Sequence, residues 1–157
     1  GIDAARKPLA IAKHRSSTNK HLPIHWHQMD AMKLEFNDYS FDGIIIAYGL
    51  RNLSDIRLAL KEIKRLVKSG GKIGILDFHK SKKGSLSYFF QKFYLRMIVV
   101  PIASLLGFRE HYKYLEKSLE NFPNGTIQKE LALESGFAQA DYQVLFGAQM
   151  GILFLTS

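Results

Sequence analysis

No cysteine occurs among the 157 residues, which removes disulfides and thiolate metal sites and fits a reducing compartment. Long hydrophobic runs are missing too. The most apolar window, IVVPIASLLGF at 98–108, contains Pro101, follows Lys92 and Arg96, and is too short to span a bilayer. No signal-peptide pattern is visible. Acidic residues are outnumbered, 14 against 22 basic, for a net charge of +8, a balance that suggests an anionic partner such as a phospholipid surface, an acidic ligand or nucleic acid. The basic residues are scattered at 6–7, 61–65 and 80–83 and carry no nucleic-acid-binding signature, so no nucleic acid is expected. Solvated helix faces and loops account for most of them. What is present is core material: 46% of residues are aliphatic or aromatic, ordinary for one globular domain of this length and too much for a disordered chain. A cytoplasmic protein, in peripheral contact with a membrane, is the expectation.

The pattern alternates between strand and helix. GID opens the chain like the end of a strand, and Leu9, Ala10, Ala12 and Lys13 follow at helical spacing. SSTNKHLP at 16–23 is loop chemistry, and IHWHQMD at 24–30 alternates as a strand does. FDGIIIAYG at 41–49 reads as a buried parallel strand. Ser54 or Asp55 caps the next helix, whose apolar positions Ile56, Leu60, Ile63 and Val67 recur every three to four residues. The SGG at 69–71 should stop it, and KIGILDF at 72–78 supplies another strand. This rhythm predicts parallel βαβ units. Beyond it, 85–106 suggests a long helix bent near Pro101, and EHYKYLEKSLENF reads as helical. A helix capped by Thr126 runs to Ser135, and two strands around Gly147 form an antiparallel hairpin.

In open α/β sheets ligands gather at the carboxyl ends of strands. Three such ends carry useful chemistry: Asp3; Asp30 with Ala31; and Ala47, Tyr48 and Gly49 ahead of Arg51 and Asn52. Carboxylates there can accept ribose hydroxyls or an adenine amino group, although an Asp at a strand end more often caps a turn. Small residues let the backbone approach a ligand. Arg51 and Asn52 can serve chemistry or simply form a helix-entry ion pair and cap. Asp77 and His79 end the next strand as candidate proton acceptors, His79 being equally readable as a loop histidine. His25 and His27 share a strand face but lack further ligands, so no metal is expected.

FDGIIIAYGLRNLSD, RLVKSGGKIGILDFHKS, REHYKYLEKSLENFP and GTIQKELALESGF together resemble the ubiquinone/menaquinone-biosynthesis C-methyltransferase family, over essentially the whole chain. The LDF-x-KS variant is most similar to the photosynthetic branch, which methylates a prenylated naphthoquinol. Ser69 stands in place of the usual Pro of the turn, and Asp77 where many members carry Glu. The resemblance implies a Rossmann-like class I methyltransferase fold in one domain, 1–157, with 85–122 as a helical substrate lid. It implies S-adenosylmethionine as methyl donor, with Asp3 on the ribose, Asp30 and Ala31 beside the adenine, and Ala47, Tyr48 and Gly49 near the methionine portion.

It further implies Arg51, Asn52, Asp77 and His79 as catalytic candidates, Tyr112 and Tyr114 as ring-pocket candidates, and a prenylated naphthoquinol or benzoquinol as substrate. Arg51 would stabilise a phenolate or orient a water that takes the proton, since arginine itself stays charged. The Gly-rich donor-binding turn of the family does not occur in the sequence, which reads as starting at the end of the family's second strand. Two expectations follow: the chain alone binds the donor weakly, and the sheet has a free edge that closes up or pairs with another copy. A non-catalytic, membrane-associated or oligomeric interaction module is the competing function.

Overall fold

The computed structural model describes residues 1–17, 23–81, 84–94, 97, 101, 115, 117–145 and 149–157, without the side chains of 87, 91, 92 and 94. Strand β1 (Ile2–Asp3) leads into α1 (Arg6–Ser17) and then β2 (His27–Gln28). The two strands pair in parallel, Ile2 opposite His27 and Asp3 opposite Gln28. The 24–30 alternation therefore produces only two paired residues, because β1 offers no longer partner.

A second sheet holds β3 (Phe41–Ala47), β4 (Val67–Phe78), β5 (Gln139–Leu145) and β6 (Met150–Thr156) in the order β3-β4-β6-β5. β3 and β4 are parallel; β6 runs antiparallel to both β4 and β5. The expected α/β architecture and C-terminal antiparallel hairpin are both present. β3 is less enclosed than its run of isoleucines suggests. Ile44 and Ile46 pack on the core, whereas Ile45 is 88% exposed. Among the described residues β3 is hydrogen-bonded along one edge only.

Helix α2 (Ile56–Leu66) crosses from β3 to β4. Asp55 caps it, its carboxylate accepting the Leu58 N–H at 2.9 Å. The helix ends at Leu66, before the SGG expected to stop it, because Val67 is already extended and pairs with Phe41. Between Val67 and Lys72 the strand makes an excursion through Gly70, at φ +74°, before register with Gly43 resumes. The 3.6-residue pattern of α2 buries Leu60 and Ile63 in one cluster with Val67, Ile73 and Ile75 of β4 and Leu153 and Leu155 of β6, and Leu66 is buried as well. Phe122, Phe137 and Ala132 close the same core. Ala132 belongs to α4 (Gly125–Glu134), and α3 (Leu86–Tyr94) lies earlier in the chain. The cap of α4 is Asn124, whose carboxamide oxygen accepts the Ile127 N–H at 3.0 Å; Thr126 falls inside the helix.

Arg65 ties the crossing helix to the segment after β2. It donates to the carbonyls of Leu34 and Phe36 and to the carboxylates of Asp38 and Glu62. This cation ties α2 to the segment between β2 and β3. Of the expected 85–122 lid, α3 and a helical turn at 117–121 are described.

Candidate functional site

The sharp exit from β3 creates the site. Tyr48 follows Ala47 with φ +57°, a left-handed conformation that costs a non-glycine residue on the order of 1 kcal/mol. That twist aims its carbonyl at two donors, Nη1 of Arg51 at 2.9 Å and Nδ2 of Asn52 at 3.1 Å. A single 3-10 turn, Leu50–Asn52, follows, anchored by the fully buried Leu50. The turn brings Arg51 back over the end of β4.

There Asp77 receives it. The carboxylate Oδ1 accepts Nη1 of Arg51 at 2.7 Å and the Phe78 N–H at 2.8 Å, while Oδ2 accepts the Arg51 backbone N–H at 3.1 Å. The side chains are 13% and 4% exposed. Both oxygens of Asp77 thus hold Arg51 or the strand end. The guanidinium also lies 5.1 Å from the centre of the Phe78 ring. Its Nε is buried and has no hydrogen-bond partner among the described residues. Beside Arg51 opens a cleft of about 650 Å³, walled by Leu53, Ile56, Phe122 and Leu131 and lined with Arg57, Lys117 and Asn121.

His79 lies one residue past the end of β4, on the side that strand alternation gives to Asp77. Its Nδ1 is 3.0 Å from the hydroxyl of Tyr142 on β5, the rings tilted 41° with centres 5.8 Å apart. Burial pushes the His79 imidazole below its usual value and therefore toward neutrality. The Tyr142 phenol is pushed up to about 12, first by burial and then by the negative charge of Asp77.

Arg51, Asn52, Asp77, Tyr48 and Gly49 come together at one place, with His79 next to it. Asp3, Asp30 and Ala31 lie apart, at the end of the two-stranded sheet. Asp3 accepts the Ala5 N–H at 2.7 Å and Asp30 the Met32 N–H at 2.9 Å, so each uses one oxygen to cap a turn. Tyr112 and Tyr114 lie outside the described residues. Tyr142 was not anticipated, yet Gly151 carried a signal: a glycine within a strand marks close approach of another group. A Cβ there would fall 2.0 Å from the Tyr142 hydroxyl.

Solved structures place the fold. The chain matches a SAM-dependent methyltransferase from Aquifex aeolicus with a TM-score of 0.67 at 14% identity, covering 99% of this chain and 66% of that one. It matches a Haemonchus contortus phosphoethanolamine N-methyltransferase, solved with S-adenosyl-L-methionine, at a TM-score of 0.69 and 16% identity, over 100% of this chain and 42% of that one. The architecture is that of the S-adenosylmethionine-dependent methyltransferases. More narrowly, residues 1–154 match the family model, and the chain belongs to the ubiE/COQ5 methyltransferase family.

Among curated relatives, the 2-phytyl-1,4-naphthoquinone methyltransferase of Synechocystis is 44% identical over 98% of this chain and 64% of its own length. That of Nostoc punctiforme is 41% identical, over 99% and 68%. The chloroplastic 2-phytyl-1,4-beta-naphthoquinone methyltransferase of Arabidopsis thaliana is 36% identical, over 98% and 59%. The chain therefore spans about two thirds of these relatives. Membership of a family of enzymes does not favour the reading as a non-catalytic interaction module.

Proposed function

We propose that the protein transfers a methyl group from S-adenosylmethionine to a ring carbon of a prenylated quinol, most closely a phytylated naphthoquinol. The names of the relatives support the substrate class. The observation that carries the chemistry is Arg51, a cation held nearly buried by Asp77 beside an apolar-walled cleft. The donor supplies an electrophilic methyl group. Asp3 and Asp30 each commit one carboxylate oxygen to a turn, which fits them to take a ribose hydroxyl and an adenine amino group with the other. Ala31, Ala47, Tyr48 and Gly49 supply backbone for close approach.

Carbon attack on a methyl group requires an electron-rich ring, and loss of a quinol proton provides it. Arg51 lowers the cost of that loss by facing the oxyanion with its positive charge in a site of low dielectric. Asn52 orients the ring oxygen. Because both oxygens of Asp77 are engaged, its part is to fix the guanidinium, and a water positioned by Arg51 takes the proton. As the ring C–CH3 bond forms and the S–CH3 bond breaks, the ring hydrogen leaves as a proton and aromaticity returns.

Residues 85–122, with Tyr112 and Tyr114, cover the ring and its prenyl tail in this reading. Leu86, Phe89, Phe90 and Phe93 of α3, each exposed by more than half, support peripheral contact with the membrane that holds such a lipid. Among the described residues no helix is long and apolar enough to cross a membrane. The deciding experiment is methyl transfer by the full-length protein, with labelled donor and either demethyl naphthoquinol or demethyl benzoquinol. Arg51→Ala should abolish turnover and preserve donor binding. Undiminished turnover by that variant would remove the proposed role.

A further inference from the structure

Tyr142 occupies a slot that the sequence has cleared on two sides. Its ring lies against Gly125 at the start of α4, where a Cβ would come within 2.3 Å of the ring carbons. Its hydroxyl end lies across Gly151 of β6, where a Cβ would sit 2.0 Å from the oxygen. Such separations are impossible for real atoms, so any side chain at either glycine must push the ring aside. The path over Gly151 takes the ring diagonally from β5 across β6 to the end of β4. The hydroxyl there reaches Nδ1 of His79 at 3.0 Å, just past the end of β4 and two residues after Asp77. A core tyrosine needs a partner for its hydroxyl, but not a double clearance that delivers it to an imidazole beside a buried ion pair.

We propose that Tyr142 is a positioning residue: its hydroxyl donates to Nδ1 of His79 and so holds the imidazole proton on Nε2. The choice of donor follows from acidity. A phenol O–H is a far stronger acid than a neutral imidazole N–H, and the direction phenol-to-imidazole makes the stronger bond. Two features of the surroundings keep the pair in this neutral form. Burial disfavours the imidazolium, while burial and the Asp77 charge disfavour the phenolate. With its proton on Nε2, His79 is a hydrogen-bond donor at that nitrogen and is not the base that takes the quinol's proton. This rests on the methyltransferase reading for its consequence in catalysis, but not for the state of the imidazole.

The test uses the full-length protein labelled with nitrogen-15 in histidine, the His79 signals being assigned from the spectrum of His79→Gln. In the wild type, Nε2 should carry the proton and Nδ1 should show the shift of a hydrogen-bond acceptor. Tyr142→Phe keeps the ring and removes only the hydroxyl. It should move the His79 signals toward a tautomer mixture and lower kcat about tenfold, the rate equivalent of one ordinary hydrogen bond. The KM for the donor should be unchanged. Gly151→Ala, which keeps the hydroxyl but displaces it, should reproduce the spectral change and guards against a folding defect peculiar to one variant. A proton on Nδ1 in the wild type, or His79 signals indifferent to both substitutions, would overturn the proposal. Turnover surviving in Arg51→Ala would instead strike the methyl-transfer reading and leave the tautomer result standing.

Discussion

Arg51 and Asp77 place opposite charges 2.7 Å apart with almost no solvent contact. Removing one member of a buried pair strands the other, which typically costs about 3–5 kcal/mol. Asp77→Ala should therefore lower stability by about that amount, read as a shift in the denaturation midpoint, and should abolish methyl transfer as thoroughly as Arg51→Ala. Arg51→Lys should fail as well. An ammonium cannot meet the carboxylate, the Tyr48 carbonyl and a substrate oxygen with one planar group. The sequence announced half of this arrangement. The pair Arg51-Asn52 after an apolar strand is visible to inspection, whereas its lock depends on Tyr48 turning left-handed and on Asp77 arriving from 26 residues further on. Spacing along the chain records neither. Two readings of Arg51-Asn52 stood open, a salt bridge at a helix entry or an active-site group, and the geometry makes them compatible, since the ion pair is what orients the guanidinium.

At the scale of elements, the helix α2 and the strands around it were legible because a 3.6-residue pattern and an apolar run are local properties. Leu60, fully buried on α2, should show this by its cost: Leu60→Ala is expected to lose about 2–5 kcal/mol in equilibrium unfolding. The link from α2 to the 34–38 segment was not legible, because it is made by one arginine reaching three acceptors 27 to 31 residues away. It should also respond to acid. The Glu62 carboxyl is held below its ordinary value, chiefly by its hydrogen bond from Arg65. A lowered folded-state value means that the stabilisation is complete above the unfolded value of 4.5 and disappears as pH falls through the lower, folded one. Tm plotted against pH should thus drop below about 4.5, and Glu62→Gln should flatten that part of the curve.

At the scale of the whole molecule, two sheets stand where an open α/β fold places one. β1 and β2 pair with each other, β3 to β6 form the larger set, and β3 keeps an edge with no strand partner among the described residues. Asp3 ends the small sheet and Asp30 lies just beyond it, whereas Ala47 and Asp77 belong to the large sheet and Arg51 to the turn after β3; the proposed function draws on both groups. Donor binding should then be sensitive to whatever fixes the two sheets relative to each other. The β3 edge, without a strand partner among the described residues, predicts self-association, so sedimentation of the protein should depend on concentration.

The slot around Tyr142 has a consequence for inheritance. Gly125, Tyr142 and Gly151, on three successive elements, share one volume, so none can change alone without a collision or a void. Tyr142→Ala, which vacates the space, should make Gly151→Ala and Gly125→Ala nearly harmless, although each is damaging when the ring is present. Across descendants of this chain the three should drift as a set, a large residue at one site excluding side chains at the others. Such a set would date the acquisition of the tyrosine: lineages that never had it are free to keep alanine or serine where this protein must keep glycine.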